Sequence, residues 1–446
     1  MVWIWNRRLR CGATALAGLM LLAPGAFAAE ALSDRELQQA DEIEELQRQL
    51  EVVVDEVGRL RTEMGVPEER ALESAHGLGP AASKIYGVGQ GLSLGGYAEG
   101  VYRNRSADAP GDGEDVADFT RAVLYVGYKF TDSLVFNSEI EFEHASTSEN
   151  GSVSVEFAAL DYLYRPGLNF RAGLLLLPMG FLNEMHEPPF YYGTQRPEPE
   201  RRIIPTTWRE NGAGIFGTLL QERLQYRMYV VNGFDASGFS SSGLRGGRQK
   251  GSEAKAEDLS FVTRVDYEPR PGVQLGASYY QGNSGQDQRF TQPVSGATVK
   301  LPNVSTRIWE VHGELRRGPL HMRALYTQAH LSDAGELSRA LELSNGSPVA
   351  KRMFGGYGEI AYDVMQILSP DSEKELSPFF RFEYLDTQAD IPSGFSRDRR
   401  QPRRIYIPGL QFKPHPNVVL KLDYRNIDTW GGDTADEISV GFGVAY

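Results

Sequence analysis

The chain has 446 residues, 41% of them apolar, 11% aromatic and 24% charged, with a formal net charge of −13. So polar a chain cannot supply several runs of about 20 apolar residues, which excludes a multi-helix membrane protein. The acidic balance excludes nucleic acid as the expected partner, because its binders carry clustered excess Lys and Arg. Yet 21 Tyr, 21 Phe and 48 Gly are many for a large soluble enzyme.

Arg7, Arg8 and Arg10 precede an apolar run from Ala13 to Ala23, followed by Pro24, Gly25 and Ala26-Phe27-Ala28. This order predicts a secretory signal over residues 1–28, cleaved after Ala28. The apolar run is too short to cross a bilayer core of about 30 Å. Its removal takes three Arg and no acid, so the net charge moves from −13 to −16. Cys11, the one cysteine, leaves with it. Disulfides, thiol chemistry and Cys-ligated metals are therefore not expected.

Residues 29–66 predict a short periplasmic coiled coil. Ser33 and Glu36 have capping-box spacing. Ile43, Leu50, Val57 and Met64 fall at a positions, with Leu46, Val53 and Leu60 at d positions. Gly65 and Pro67 end the helix. Three heptads are marginal alone, so this segment calls for oligomerisation, and its seam permits a trimer. Residues 67–92, rich in Ala, Gly and Ser, read as a linker.

From residue 93 to 446 the hydropathy period is two, the signature of half-buried strands. Ile438, Val440, Phe442, Val444 and Tyr446 alternate with Glu437, Ser439, Gly441, Gly443 and Ala445. Sixteen such runs are predicted: 93–103, 119–130, 134–144, 153–164, 169–177, 212–220, 224–232, 258–268, 272–282, 304–316, 319–330, 352–364, 376–388, 402–413, 417–426 and 436–446. Tight turns such as Arg165-Pro166-Gly167 and Pro414-His415-Pro416 alternate with long polar stretches. Exceptions are 365–375, long for a turn, and 145–152, short for a loop. Short turns on one rim, long loops on the other and an even strand number fit a transmembrane barrel. Ten residues rising about 3.3 Å each and tilted near 40° span roughly 25 Å, the height of an outer-membrane apolar band. The expected fold is all-β, a transmembrane antiparallel β-barrel of about 16 strands, preceded by a short coiled-coil helix.

Five further segments stand out: Gly95-Gly96-Tyr97-Ala98-Glu99-Gly100, Phe170-Arg171-Ala172-Gly173 leading to Pro178-Met179-Gly180, Asn232-Gly233, Gly276-Ala277-Ser278-Tyr279-Tyr280 and Arg381-Phe382-Glu383-Tyr384-Leu385-Asp386-Thr387. Together they resemble the phosphate-selective porin family (types O and P). The resemblance covers roughly 93–446, and the N-terminal coiled coil is similar to that of trimeric porins with a periplasmic stalk. It implies a homotrimer in outer-membrane lipid, passing small anionic or polar solutes without a cofactor, each pore narrowed by an inward third loop. By count that loop is 178–211, the longest.

The expected anion-binding and constriction residues are Arg201, Arg202, Arg209, Arg121, Arg227, Lys421 and Arg425. The same loop also carries Arg196 and the acids Glu184, Glu187, Glu198, Glu200 and Glu210. If the apolar register faces lipid, Glu139, Glu141, Glu143 and Asp423 join the cations on the lumen side, so phosphate selectivity follows from the resemblance and not from the residues. Trp208 either stacks solute in the constriction or anchors the loop to the wall. Strand glycines read as close packing at barrel curves. The seven His show no zinc-ligand spacing, and no G-x-S-x-G elbow, phosphate-binding Gly loop or H-E-x-x-H occurs. A non-enzymatic channel is expected. The competing readings are an outer-membrane lipid hydrolase, which needs a Ser–His pair at the lipid rim, and a structural tether.

Overall fold

The computed structural model describes Glu45, Arg48, Gln49 and residues 72–446 apart from 107–113, 146–150 and 433. The expected signal at 1–28 and nearly all of the expected coiled coil lie outside the described residues. Glu45, Arg48 and Gln49 are helical, with Gln49 donating to Glu45 at 3.0 Å.

Residues 72–446 form a separate unit. Its first strands are β1 (Gly91–Arg105), β2 (Val116–Lys129), β3 (Leu134–Glu143), β4 (Ser152–Arg165) and β5 (Leu168–Leu176). Next come β6 (Arg209–Leu219), β7 (Leu224–Asn232), β8 (Leu259–Arg270) and β9 (Val273–Asn283). A loop hairpin, β10 (Arg289–Thr291) and β11 (Thr298–Lys300), interrupts the series. The rest are β12 (Ser305–Arg317), β13 (Leu320–Leu331), β14 (Arg352–Tyr362), β15 (Glu375–Asp390), β16 (Arg403–His415), β17 (Val418–Thr429) and β18 (Glu437–Ala445).

All strands but β10 and β11 close one antiparallel barrel, each paired with its neighbours in sequence and β1 with β18. These are the sixteen runs expected from periodicity, with ends shifted by three residues at most. The hairpin within 283–303 was not expected. Closure is sealed where Gly96 and Tyr446 exchange backbone N–H···O bonds of 2.9 Å. A closed ladder leaves no strand edge, which lipid requires of a spanning sheet.

The alternation sets the register. In β18, Ile438, Val440 and Phe442 are 50%, 52% and 43% exposed, whereas Ser439 is wholly buried. In β17, Leu420, Leu422 and Tyr424 face out, and Lys421, Asp423 and Arg425 are buried inside. Tyr128, Phe130, Tyr162 and Tyr164 form an exposed aromatic rim near the short turns. The turn 363–374 is long because it holds a small helix, Met365–Leu368.

Part of the segment read as a linker is packed into the barrel. Leu78, Ala81, Ala82 and Ile85 are buried, and a short helix spans Lys84–Gly87. Gly127 makes this possible: a Cβ there would lie 2.8 Å from Ile85 Cγ1. Glycine on this wall serves a close approach from inside the lumen.

Candidate functional site

The connection from β5 to β6 enters the barrel. Six prolines stand between 178 and 205, and proline lacks an N–H and fixes φ, so an extended path carries few orphan donors. Asn183 fastens both ends: its Nδ2 donates to the carbonyls of Leu177 (2.7 Å) and Trp208 (2.9 Å), and its Oδ1 accepts the Trp208 N–H at 2.6 Å.

Between these ends the loop touches walls around the barrel. Glu184 accepts from Arg227 of β7 at 2.6 Å, and His186 lies 3.1 Å from Glu139 of β3. Pro188 packs where a Cβ on Gly443 would meet it at 2.3 Å. The Tyr191 hydroxyl donates to Glu99 of β1 at 2.9 Å. Arg381 of β15 donates to the carbonyls of Tyr192 and Gln195, and the Glu198 N–H reaches Glu383 at 2.7 Å. Contacts on opposing strands hold the segment across the lumen, where it narrows any path between the rims.

A short helix, Glu198–Arg202, lies within the loop. Its acids, Glu198 and Glu200, precede its arginines, Arg201 and Arg202, the order the helix dipole favours. Burial raises the Glu198 carboxyl, but Arg201, Arg202 and Arg425 outweigh it and hold the group below the usual carboxylate range. Burial, then Arg196, push His186 down to about 3, so it stays neutral. Burial lifts Glu187 to about 7, against hydrogen bonds from the Ala81 and Ala82 amides.

The expected cations lie inside the barrel, and most are neutralised there. Arg121 pairs with Glu99 (2.8 Å) and Glu141 (3.2 Å), and Arg209 with Glu156 (2.7 Å). Arg227 bridges Glu184 and Asp266. Arg201 and Arg202 share Glu198 at 2.6 and 2.5 Å, and Arg425 pairs with Glu437 at 3.3 Å. Lys421 donates to the carbonyls of Tyr191 and Gly193 and lies 3.6 Å from the Tyr191 ring centroid. Trp208 is wholly buried, stacked on Phe234 at 4.3 Å, with its indole N–H on Glu210 at 3.2 Å. Of its two expected roles, that is the anchor: no face of the ring is open to a solute.

Three arginines outside the expected set differ. Among the described residues no carboxylate pairs with Arg196, Arg245 or Arg248. Arg196 is 9% exposed and its Nη2 has no hydrogen-bond partner there. Desolvation, then Arg248, Arg201, Arg196 and Arg121, push the Arg245 guanidinium down to about 9, so the charges that act on it most strongly are cations. Arg248 donates to the carbonyls of Pro205 (3.2 Å) and Thr207 (2.6 Å), tying the loop 233–257 onto the inward one. The signal was present in sequence: Arg245, Arg248 and Lys250 fall in a stretch, 236–252, without an acid.

Towards the short turns the lumen opens into cavities. One of about 320 Å3 is lined by Glu222, Gln225, Asp266, Gln274, Glu314 and Arg316. A second, of about 230 Å3, shares Gln225 and Gln274 and adds His76, Phe181, Glu184 and Arg227. A third, of about 200 Å3, shares Arg316 and adds Tyr191, Tyr192, His321 and Lys413. Acids and bases mix on these walls. Among the described residues no group of three or more His, Cys, Asp or Glu is placed to hold a metal ion.

No family model matches the sequence. Among solved structures, OmpF of Salmonella typhi in complex with daunomycin is similar, with a TM-score of 0.50 and 14% identity, over 80% of this chain and 97% of that one. The outer-membrane channel DcaP of Acinetobacter baumannii gives 0.48 and 13%, over 80% and 97%. At such identity the likeness to OmpF is one of fold: the barrel is built as the outer-membrane porins are. In sequence, an uncharacterized protein of Aquifex aeolicus (strain VF5) is 38% identical over 383 residues, 83% of either chain. The chain belongs to the family of that Aquifex aeolicus protein.

Proposed function

We propose that the chain is an outer-membrane porin through which small hydrophilic solutes diffuse passively, with a bias toward anions such as phosphate. One observation carries this reading: a closed barrel with an apolar outside holds a loop across a charged lumen, flanked by cavities of about 320 and 230 Å3. Diffusion needs side chains that replace part of a solute's hydration shell and release it again. The mixed ion pairs suit that weak, multi-site engagement.

The anion bias rests on Arg196, Arg245 and Arg248, because a cation already paired with a carboxylate contributes little net field. Arg201, Arg202, Arg209, Arg121, Arg227 and Arg425 act chiefly as struts for the loop. The unit is a homotrimer, with the long loops outside and the short turns and N-terminal segment in the periplasm. It performs no catalysis. Planar-bilayer recording tests the reading: stepwise conductance is expected, and its absence would remove the porin. A cation-biased reversal potential would remove the anion preference.

A further inference from the structure

We infer that residues 74–87 line the solute path as a second constriction, confining it at the short-turn end to the arc formed by β7–β9 and β12–β16. The inference rests on the channel reading above and adds to it the route and the residues that bound it.

The segment is clamped on two sides. Against the wall, Asn137 of β3 donates to the Ala82 carbonyl at 2.8 Å and Lys129 of β2 to the Val88 carbonyl at 3.0 Å. Tyr86 donates to Asp161 of β4 at 2.6 Å, and Arg171 of β5 bonds both Asp161 and the Tyr86 hydroxyl. Against the inward loop, Glu187 accepts the N–H groups of Ala81 and Ala82 at 3.0 and 3.1 Å, and the Gly79 N–H reaches the Glu184 carbonyl at 3.2 Å. Wall, segment and loop form three packed layers over β2–β5. Leu78, Ala81 and Ala82 share one apolar cluster with Tyr97, Val123, Tyr125 and Phe157, so no water-filled route runs between segment and wall.

The three cavities described above all lie on the other arc, and the middle one in volume is walled by Ser74–Gly77 itself. The space between segment and wall, lined by Leu78, Tyr86, Asn137 and Ala159, amounts to about 10 Å3, room for one water at most. The glycine-rich segment, whose one formal charge is Lys84, thus hands the solute to Gln225, Gln274 and Arg316, which become the discriminating groups beyond the loop.

The test uses the full chain with Cys11→Ser, which removes its one cysteine. Gln274→Cys and Arg316→Cys sit on the expected route, and Asn137→Cys and Ala159→Cys lie beneath the segment. A small charged methanethiosulfonate is added in planar bilayers, and modification is read both as loss of current and as a mass shift. The first pair is expected to react and lose current. The second pair is expected to react at least about 100-fold more slowly, because reaction there waits on local opening of the segment. Equal rates in the two pairs would overturn the inference, and either beneath-segment variant suffices if the other does not assemble. The mass shift scores burial even in a protein without conductance, so failure of the channel reading is seen separately.

Discussion

The carboxylate of Glu187 accepts the backbone N–H of Ala81 through both oxygens at 3.0 Å, across 106 positions of sequence. This contact joins the inward loop to the segment that precedes the first strand, and it is buried on every side. The shape of the lumen therefore depends on residues ahead of the barrel as well as on the barrel.

That carboxyl gives the first expectation. Burial raises Glu187 from 4.5 to about 7, so the folded protein binds more protons than the unfolded one across that window. Stability must then fall as pH rises through it, most of the loss being complete just above 7. Thermal unfolding of the folded protein at pH 5 and pH 8 should show this decline, and Glu187→Gln should flatten it. An unchanged slope in the variant would assign the titration elsewhere.

Trp208 fills the base of the loop between Phe234 and Tyr280, at 4.3 and 4.8 Å. Trp208→Ala should cost ~3–5 kcal/mol, the range for removing a large buried aromatic. The loosened loop should also raise current noise, and Trp208→Phe should restore quiet channels. A silent, stable Ala variant would contradict the anchoring role.

Paired and unpaired arginines should separate in their effects. Arg209→Gln leaves Glu156 buried without its partner, a loss of ~3–5 kcal/mol in stability. Arg196→Gln and Arg245→Gln break no ion pair among the described residues and should leave melting nearly unchanged. Each removes a unit charge; at ~10 Å in water such a charge is worth ~0.4 kcal/mol, of opposite sign for an anion and a cation, so the anion-to-cation permeability ratio should fall about fourfold. Reversal potentials and melting curves on the same proteins check both halves.

The barrel was legible because lipid and water on its two faces impose a period of two, which Ile438, Val440 and Phe442 carry openly. That same register placed Arg121, Arg227, Lys421 and Arg425 on the inner wall. Their partners were not legible, since Glu184 meets Arg227 only once a loop has crossed the lumen. The segment 72–90 looked like a linker because several of the bonds that hold it are made by backbone: the amides of Ala81 and Ala82 and the carbonyls of Ala82 and Val88. Composition is blind to such bonds. Trp208 needed Phe234 beside it, and nothing in a linear pattern announces a stack between two loops.

The field of Arg245, the exposed one of the three, should also fade with salt, because exposed charges are screened over ~8 Å near 0.15 M and ~3 Å at 1 M. Anion preference is thus expected to shrink as ionic strength rises, while Arg209–Glu156, buried, keeps its grip on the loop. Selectivity that holds steady from low to high salt would place the discriminating charges deeper than Arg245.

The most direct measurement is single-channel recording of the full chain in a planar bilayer under a KCl gradient. Stepwise conductance with a reversal potential on the chloride side of zero is the expected result. A silent bilayer, or steps with a potassium-selective reversal, would contradict the anion-biased porin.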